Sequence, residues 1–469
     1  MKNIYIYNTL SKKKEIFQPI EPYKVKMYVC GITPYDEPHL GHARCYIVFD
    51  VIRRYLEYNG YEVFYVQNFT DIDDKIISKS KQLNINFKEL TQKYINIYFD
   101  YSNRLNIKPA NSYPKVTEYI TYIINFIEDL IKKGYAYSTS EGNVYYSIEK
   151  FSSYGKLSNR TTDKMLNGVR IESDENKKHK LDFALWKTSK NDEPYWDSPW
   201  GKGRPGWHIE CSTMVLKEFK TDTIDIHGGG LDLVFPHHEN EIAQSEALTG
   251  KEFVKYWIHN GFVRLNKEKM SKSTGNFFSL EEIFKKYNPV IIRFFLLTQH
   301  YRTPIDFDQE KIIQSKNALE ELIDTYEFIN FLIWKYGIKQ NKEILTDILE
   351  KFEENLNDDF NTENGISVLF ELKNLFYQKI KENNLDIVVK VKNVFNIILE
   401  QILGIKIPEC IYENPSKITE LIEKLENREK LRKNKIWNMA DKIRNEIFNY
   451  GYLIEDTNFG PRLKRINII

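Results

Sequence analysis

The sequence predicts an α/β fold of several domains: an open parallel sheet interrupted by an insertion, then a helical bundle and a small C-terminal α/β module. Four observations predict it. An alternating run from Lys24 to Cys30 reads as a strand with one buried face. Ile47, Val48, Val51, Ile52, Tyr55 and Leu56 then follow at helical spacing, with Asn59-Gly60 as a stop signal. A second strand-like run, Gly261 to Leu265, lies far downstream. From residue 310 apolar residues recur at helical spacing, as at Leu319, Leu322, Ile323 and Tyr326. A chain of 469 residues is long enough for roughly two to four domains with substantial cores.

The elements can be taken in order. Residues 1–113 and 203–260 read as two halves of one sheet. Between the first strand and its helix lies a loop with Gly31, Pro34 and Pro38, leading into His39-Leu40-Gly41-His42. In an open α/β sheet such a junction lies at the carboxyl end of a strand. It carries unsatisfied N–H groups and positive dipole character, which suits phosphate, and His39 and His42 add donors. Gly41 inside a helical turn costs about 1 kcal/mol relative to Ala, which close approach of a flat ligand would offset. Taken alone, the two histidines are equally well explained as helix caps.

The insertion, residues 114–202, opens with an apolar helix through Ile120, Ile123, Ile124, Ile127 and Ile131, ends it at Gly134, and includes the polar stretch Glu172 to Lys180. Residues 261–309 form a junction. It contains Lys269-Met270-Ser271-Lys272-Ser273 in a Lys-, Ser- and Gly-rich stretch that reads as a loop. Two lysines on a loop can close over a triphosphate and stabilise charge building on a leaving group. No Gly-x-x-x-x-Gly-Lys-Ser/Thr string occurs, which disfavours a P-loop enzyme. Residues 310–405 read as the bundle and 406–469 as the small module.

A net charge of +1 does not mark the whole chain as a nucleic-acid binder, so any such ligand must be held by local basic patches. Met1 to Glu15 lacks a continuous apolar core and no run of eighteen apolar residues occurs, so neither a signal peptide nor a membrane span is expected. Four scattered cysteines, Cys30, Cys45, Cys211 and Cys410, are too few for a disulfide framework and fit a reducing cytoplasm. His237 and Glu241 stand four residues apart in a helix-like stretch, which puts both on one face. Imidazole, carboxylate and thiolate are all good zinc ligands. His208, His227, His238 and His259 crowd into the same half of the chain.

The two strings together resemble the paired signatures of the class I aminoacyl-tRNA synthetases, with Leu40 in place of the usual Ile. The match is sharpest with the cysteine-specific branch. It runs through Met27 to Arg44, Asn68 to Lys75, Gly206 to Ser212, His227 to Gly230, Pro236 to Glu241, Ile292 to Leu297, Asp358 to Thr362 and Ala440-Asp441. The resemblance implies a Rossmann-type catalytic domain, a connective insertion that contacts the acceptor end, a helical bundle and an anticodon-binding domain. It places His39, His42, Lys269 and Lys272 as catalytic residues, with Gly41 beside them in the ATP site. Thr70, Trp207 and Asp232 fall near the amino acid or adenylate. One zinc ion per chain falls to Cys30, Cys211, His237 and Glu241, while Cys45 and Cys410 are expected to be plain buried residues.

The implied reaction joins L-cysteine to tRNA(Cys) through a cysteinyl-adenylate, with Mg2+ accompanying ATP and a monomeric chain. Zinc explains how so small a substrate is chosen. Cysteine and serine differ by one atom, so shape discriminates poorly, whereas thiolate binds zinc well and a neutral hydroxyl does not. No separate editing site is then needed. Between Arg428 and Arg444 a basic helix containing Trp437 suits single-stranded RNA.

Three departures stand out. Pro34 replaces a common Val, Ile76-Ile77-Ser78 lacks a second Lys after Asp73-Asp74-Lys75, and Gly460-Pro461-Arg462-Leu463 lies where a Trp is frequent. Three other readings stay open: a cysteine:amino-sugar ligase using the same adenylation site, an inactive RNA-binding paralogue, and a purely structural zinc protein, which would leave the two strings unexplained.

Overall fold

The computed structural model describes residues 3–160, 177–265, 268–269 and 279–466. It forms two compact units, one reaching to Ile283 and taking in Tyr301–Asp306, the other made of Phe284–His300 and Phe307 onward.

The first unit begins with an antiparallel hairpin, β1 (Tyr5–Asn8) and β2 (Lys13–Ile16). Next come β3 (Lys24–Ile32), α1 (Leu40–Tyr58), β4 (Glu62–Phe69), α2 (Asp74–Leu83) and α3 (Phe87–Arg104). β3 is buried continuously from Met27 to Cys30 and not on one face only. It is an inner strand of a four-stranded parallel sheet, with β4 on one side, and both faces are covered.

In the insertion, α4 (Ile120–Lys132) turns Ile120, Ile123, Phe126, Ile127 and Leu130 inward and stops before Gly134, whose φ of +79° an L side chain rarely adopts. Four short antiparallel strands follow: β5 (Ala136–Ser138), β6 (Val144–Tyr146), β7 (Phe183–Thr188) and β8 (Gly203–Pro205). The last pairs Trp186 with Pro205, so this sheet uses residues beyond 202; three residues carry no readable period. Of the polar stretch Glu172 to Lys180, the part before residue 177 lies outside the described residues.

The chain then re-enters the parallel sheet through α5 (Trp207–Phe219), β9 (Ile224–Gly230), α6 (Glu239–Thr249) and β10 (Val254–Asn260), in the strand order β10-β9-β3-β4. Helices α4, α5 and α6 share one core with the sheet through Ile123, Ile127, Met214, Val215, Ile242, Ala243 and Trp257. A three-stranded sheet of β11 (Val263–Leu265), β12 (Glu268–Lys269) and β13 (Ile305–Asp306) comes next, and α7 (Leu280–Lys286) starts after Ser279.

The second unit is mostly helical: α8 (Pro289–Leu297), α9 (Gln309–Tyr336), α10 (Thr346–Asn357), α11 (Thr362–Lys381) and α12 (Ile387–Phe395). After them come α13 (Pro415–Lys433), α14 (Trp437–Asn449) and the hairpin β14 (Tyr452–Thr457) and β15 (Gly460–Arg465). The single basic helix expected across Arg428 to Arg444 is therefore two. The break falls at Asn434 to Ile436, where Lys435 takes a φ of +59° and its N–H returns to Arg432 O. The Gly460-Pro461-Arg462-Leu463 stretch is a strand whose Arg462 is buried over the Phe328 ring and bonded to Asp324 at 2.8 Å.

Candidate active site and metal centre

Parallel strands β3, β9 and β10 point their carboxyl ends the same way, and α1 starts just beyond β3. Close packing of α1 on β9 needs Gly228, because a Cβ there would lie 2.2 Å from the Phe49 ring. At the helix start His39 is the N-cap. Its Nδ1 accepts from the His42 amide at 3.2 Å, while His42 Nδ1 accepts from the His39 amide at 3.2 Å. The rings stack at 3.7 Å. With Nδ1 used as the acceptor in both, the neutral rings carry their protons on Nε2. Gly41 is required by His39 itself, since a Cβ would come within 2.9 Å of the imidazole.

The carboxyl end of β3 also leads into a buried nest of metal-ligating groups. Cys30 at the end of β3, Cys211 on α5, and His237 and Glu241 bring one ligand atom each within 4.8 Å of one another. The two sulfurs are 4.0 Å apart, and His237 Nε2 is 3.1 Å from Glu241 Oε1. The last two residues do share a face, but not on one regular helix. Val234–His238 is a π turn broken at Phe235, and α6 begins only at Glu239.

Charge within the nest is uneven. A hydrogen bond with Cys30 holds the Cys211 thiol down at about 6, whereas burial pushes the Cys30 thiol well up. Burial opposes ionisation of Glu241, but the His227 and His237 rings outweigh it and hold its carboxyl at about 2. Burial likewise acts against a charged His237, and Glu241 and Cys211 overcome it, lifting the ring to about 10. Two anions thus share a dry nest with one imidazole proton, which a divalent cation can displace. Glu241 Oε1 is buried, and beyond its 3.1 Å ion pair with His237 it has no hydrogen-bond partner among the described residues. Two sulfurs, one imidazole and one carboxylate are a tetrahedral zinc set.

A second quartet, Cys30, His227, His238 and Glu241, is equally compact. Its histidines have other duties. His227 Nε2 lies 2.8 Å from Glu241 Oε2, and His238 Nδ1 lies 2.8 Å from His259 Nε2, which in turn reaches Thr9 through Nδ1. His238 Nε2 still faces Cys30 Sγ at 3.3 Å; what distinguishes the first quartet is its two sulfurs, 4.0 Å apart.

The nest is enclosed by aromatic and polar side chains. Trp207, 41% exposed, stacks on His237 at 4.4 Å, and His208 Nδ1 backs His237 Nδ1 at 3.1 Å. Thr70 Oγ1 donates to Glu210 Oε2 at 2.9 Å, and burial raises the Glu210 carboxyl well above its usual range. Asp232 is exposed beyond the end of β9.

Comparison with known proteins gives the family. Residues 16–317 match the family described as the class I (C) tRNA synthetase catalytic domain, and residues 351–407 match the DALR domain. A cysteine–tRNA ligase of Carboxydothermus hydrogenoformans is 50% identical, over 98% of this chain and 100% of its own length. The chain belongs to the cysteine–tRNA ligase family. Another relative, from Clostridioides difficile, is 48% identical over 98% of this chain and 100% of its own. At 13% identity, a Mycobacterium tuberculosis methionyl-tRNA synthetase in complex with methionyl-adenylate shares the fold with a TM-score of 0.63, covering 81% of this chain and 91% of that one.

In this cysteine–tRNA ligase family member the structure draws Cys30, Cys211, His237 and Glu241 together and sets His39, Gly41 and His42 at one helix start. Lys269 lies on β12, its side chain outside the described residues, as is all of Lys272. Cys45 and Cys410 are buried free thiols. Sequence reasoning crowded the histidines into this half but gave His227, His238 and His259 no roles, and it missed Glu210 altogether. The only signal for Glu210 is its place beside Cys211 in the stretch Trp207 to Ser212.

Proposed function

We propose that this chain activates L-cysteine with ATP and transfers it to tRNA(Cys). The observation that carries the reading is the convergence of Cys30, Cys211, His237 and Glu241 at the carboxyl end of β3, the strand that leads into the helix start holding His39 and His42. Cys30, Cys211, His237 and Glu241 would hold one zinc ion per chain. When bound, zinc supplies a soft Lewis acid that favours a substrate thiolate over a serine hydroxyl.

The residues then divide the work. Trp207, stacked on His237, covers the small side chain and excludes water, and Thr70 and Asp232 orient the polar groups of the amino acid. The amides at the start of α1 and the Nε2 protons of His39 and His42 receive ATP phosphates, which carry Mg2+ with them. Gly41 lets the nucleotide lie against the helix. Lys269 and Lys272 balance charge on the departing pyrophosphate. The cysteine carboxylate attacks the α-phosphorus in line and gives the adenylate, so catalysis is positioning and charge stabilisation without a protein nucleophile.

A tRNA hydroxyl then displaces AMP. The insertion, residues 114–202, serves the acceptor end, and residues 406–469 read the anticodon. The chain works as a cytoplasmic monomer; among the described residues no helix is long and apolar enough to cross a membrane.

Charging of tRNA(Cys) with labelled cysteine, against serine as control, tests the reading. Cysteine-specific charging supports it. ATP consumption with cysteine and an amino-sugar acceptor, but no charged tRNA, would replace it with the sugar ligase; neither activity would point to an inactive RNA-binding chain.

A further inference from the structure

Arg44 lies two residues after His42 on α1 and is fully buried, and its guanidinium is spent on main-chain carbonyls. Nη1 donates to Gly261 O at 3.0 Å and Phe262 O at 2.7 Å. Nη2 donates to Tyr301 O at 3.3 Å and to Thr303 O. These carbonyls belong to two separate stretches, one entering β11 and the other entering β13. The strands pair in parallel, Val263 with Ile305, and β12 pairs back on β11 with Lys269 opposite Arg264. One side chain therefore ties the helix of the first string to the strands that carry the first lysine of the second.

The far end of that segment returns to the same place. Ser279 bridges His39 in antiparallel fashion, and Leu280 N donates to Pro38 O at 2.9 Å. Ser279 and Glu282 cap each other, with Ser279 N to Glu282 Oε2 at 3.1 Å and Glu282 N to Ser279 Oγ at 3.2 Å. Lys269 is thus tied to α1 through strand pairing and the Arg44 side chain, and Ser279 through main-chain bonds to Pro38 and His39.

A planar fork with five N–H groups can serve four carbonyls on two strands at once, whereas an ammonium has three donors on a flexible stem and no fork. We infer that Arg44 is a positioning residue for adenylation: it fixes the Lys269 strand pair relative to the His39–His42 helix start, so that donors from both strings reach one triphosphate. The inference rests on the reading that both strings handle ATP. A residue serving stability alone would show its loss equally in every substrate.

The test is cysteine-dependent ATP–pyrophosphate exchange with the full-length, zinc-loaded protein. Arg44→Lys keeps the charge and loses the fork. It is expected to lower kcat/KM for ATP by about tenfold or more, since misplacement of the order of 1 Å costs that much or more, while KM for cysteine and zinc content stay unchanged. Gly261→Ala is the second variant. Its Cβ would lie 2.6 Å from Arg302 O, parting the two stretches while leaving Arg44 in place, and the same ATP-specific loss is expected. Cysteine binding to each zinc-loaded variant without ATP shows that the metal end is folded.

Wild-type ATP kinetics in either folded variant would overturn the role. So would ATP and cysteine parameters that fall together with the folded fraction. If the wild-type chain shows no cysteine-dependent exchange, the function reading fails first and takes this role with it.

Discussion

His39 and His42 cap each other: each Nδ1 accepts the other's backbone amide at 3.2 Å, so both rings hold their proton on Nε2. The arrangement depends on the residue between them. In Gly41→Ala the new Cβ, 2.9 Å from His39, displaces that ring and opens the reciprocal cap. Pyrophosphate exchange should fall by about tenfold or more. Stability should move by no more than about 1 kcal/mol, because the gain in helix propensity offsets the lost cap. Exchange kinetics beside a denaturant titration check both halves, and unchanged exchange would remove the histidines from the ATP site.

Behind the metal nest, His227 Nε2 sits 2.8 Å from Glu241 Oε2, while Oε1 turns toward His237. Outer partners of this kind orient a ligand and typically contribute about 10- to 100-fold in metal affinity. His227→Asn should weaken zinc binding by about that factor, measured by competition with a chromophoric chelator, and should raise KM for cysteine more than KM for ATP.

Removing the metal outright should show what it selects. Chelator treatment is expected to abolish cysteine-dependent exchange, and zinc should restore it. A chain that prefers cysteine over serine equally well without the metal would place selectivity in the pocket walls instead.

Acid should destabilise the fold in a defined window. Burial pushes His259 down to about 3 and lowers His208 and His238 well below the ordinary 6.5. At these rings the unfolded chain therefore binds protons that the folded one refuses, so their contribution to stability rises with pH between about 3 and 6.5, opposed above about 4.5 by Glu210, which the folded chain holds protonated. Each pH unit below 6.5 costs about 1.4 kcal/mol per histidine while the folded ring stays neutral. Urea midpoints of the zinc-loaded protein at pH 7 and pH 5.5 check this, and His259→Asn should flatten the slope.

At the start of α14, Trp437 is 54% exposed and offers a face for an unpaired base. Stacking of this kind is worth about 1–3 kcal/mol. Trp437→Ala should reduce kcat/KM for tRNA by about fivefold to somewhat over a hundredfold and leave pyrophosphate exchange and Tm unchanged. A loss in exchange would instead mean a packing role.

Much of the catalytic half was legible because its signals are local. The strand before His39, the helix after it and the four-residue step from His237 to Glu241 all follow from spacing in one stretch of chain. The insertion's last strand was not, since Gly203–Pro205 is defined only by its pairing with β7. The break at Lys435 was also hidden: lysines and arginines stand on both sides of it, and only a left-handed backbone closes the turn.

By itself, then, the sequence determined the order of strand and helix at His39, the face shared by His237 and Glu241, and, through resemblance, the partnership of Cys30 and Cys211 with them. Only the tertiary structure decided that β3 is buried on both sides, that His227 rather than solvent holds Glu241, and that Arg44 bonds carbonyls more than two hundred positions downstream in the numbering. Those are contacts between groups far apart in the chain. Local periodicity carries no information about which distant carbonyl or carboxylate a buried donor will meet; that is fixed when the strands pair and the helices pack.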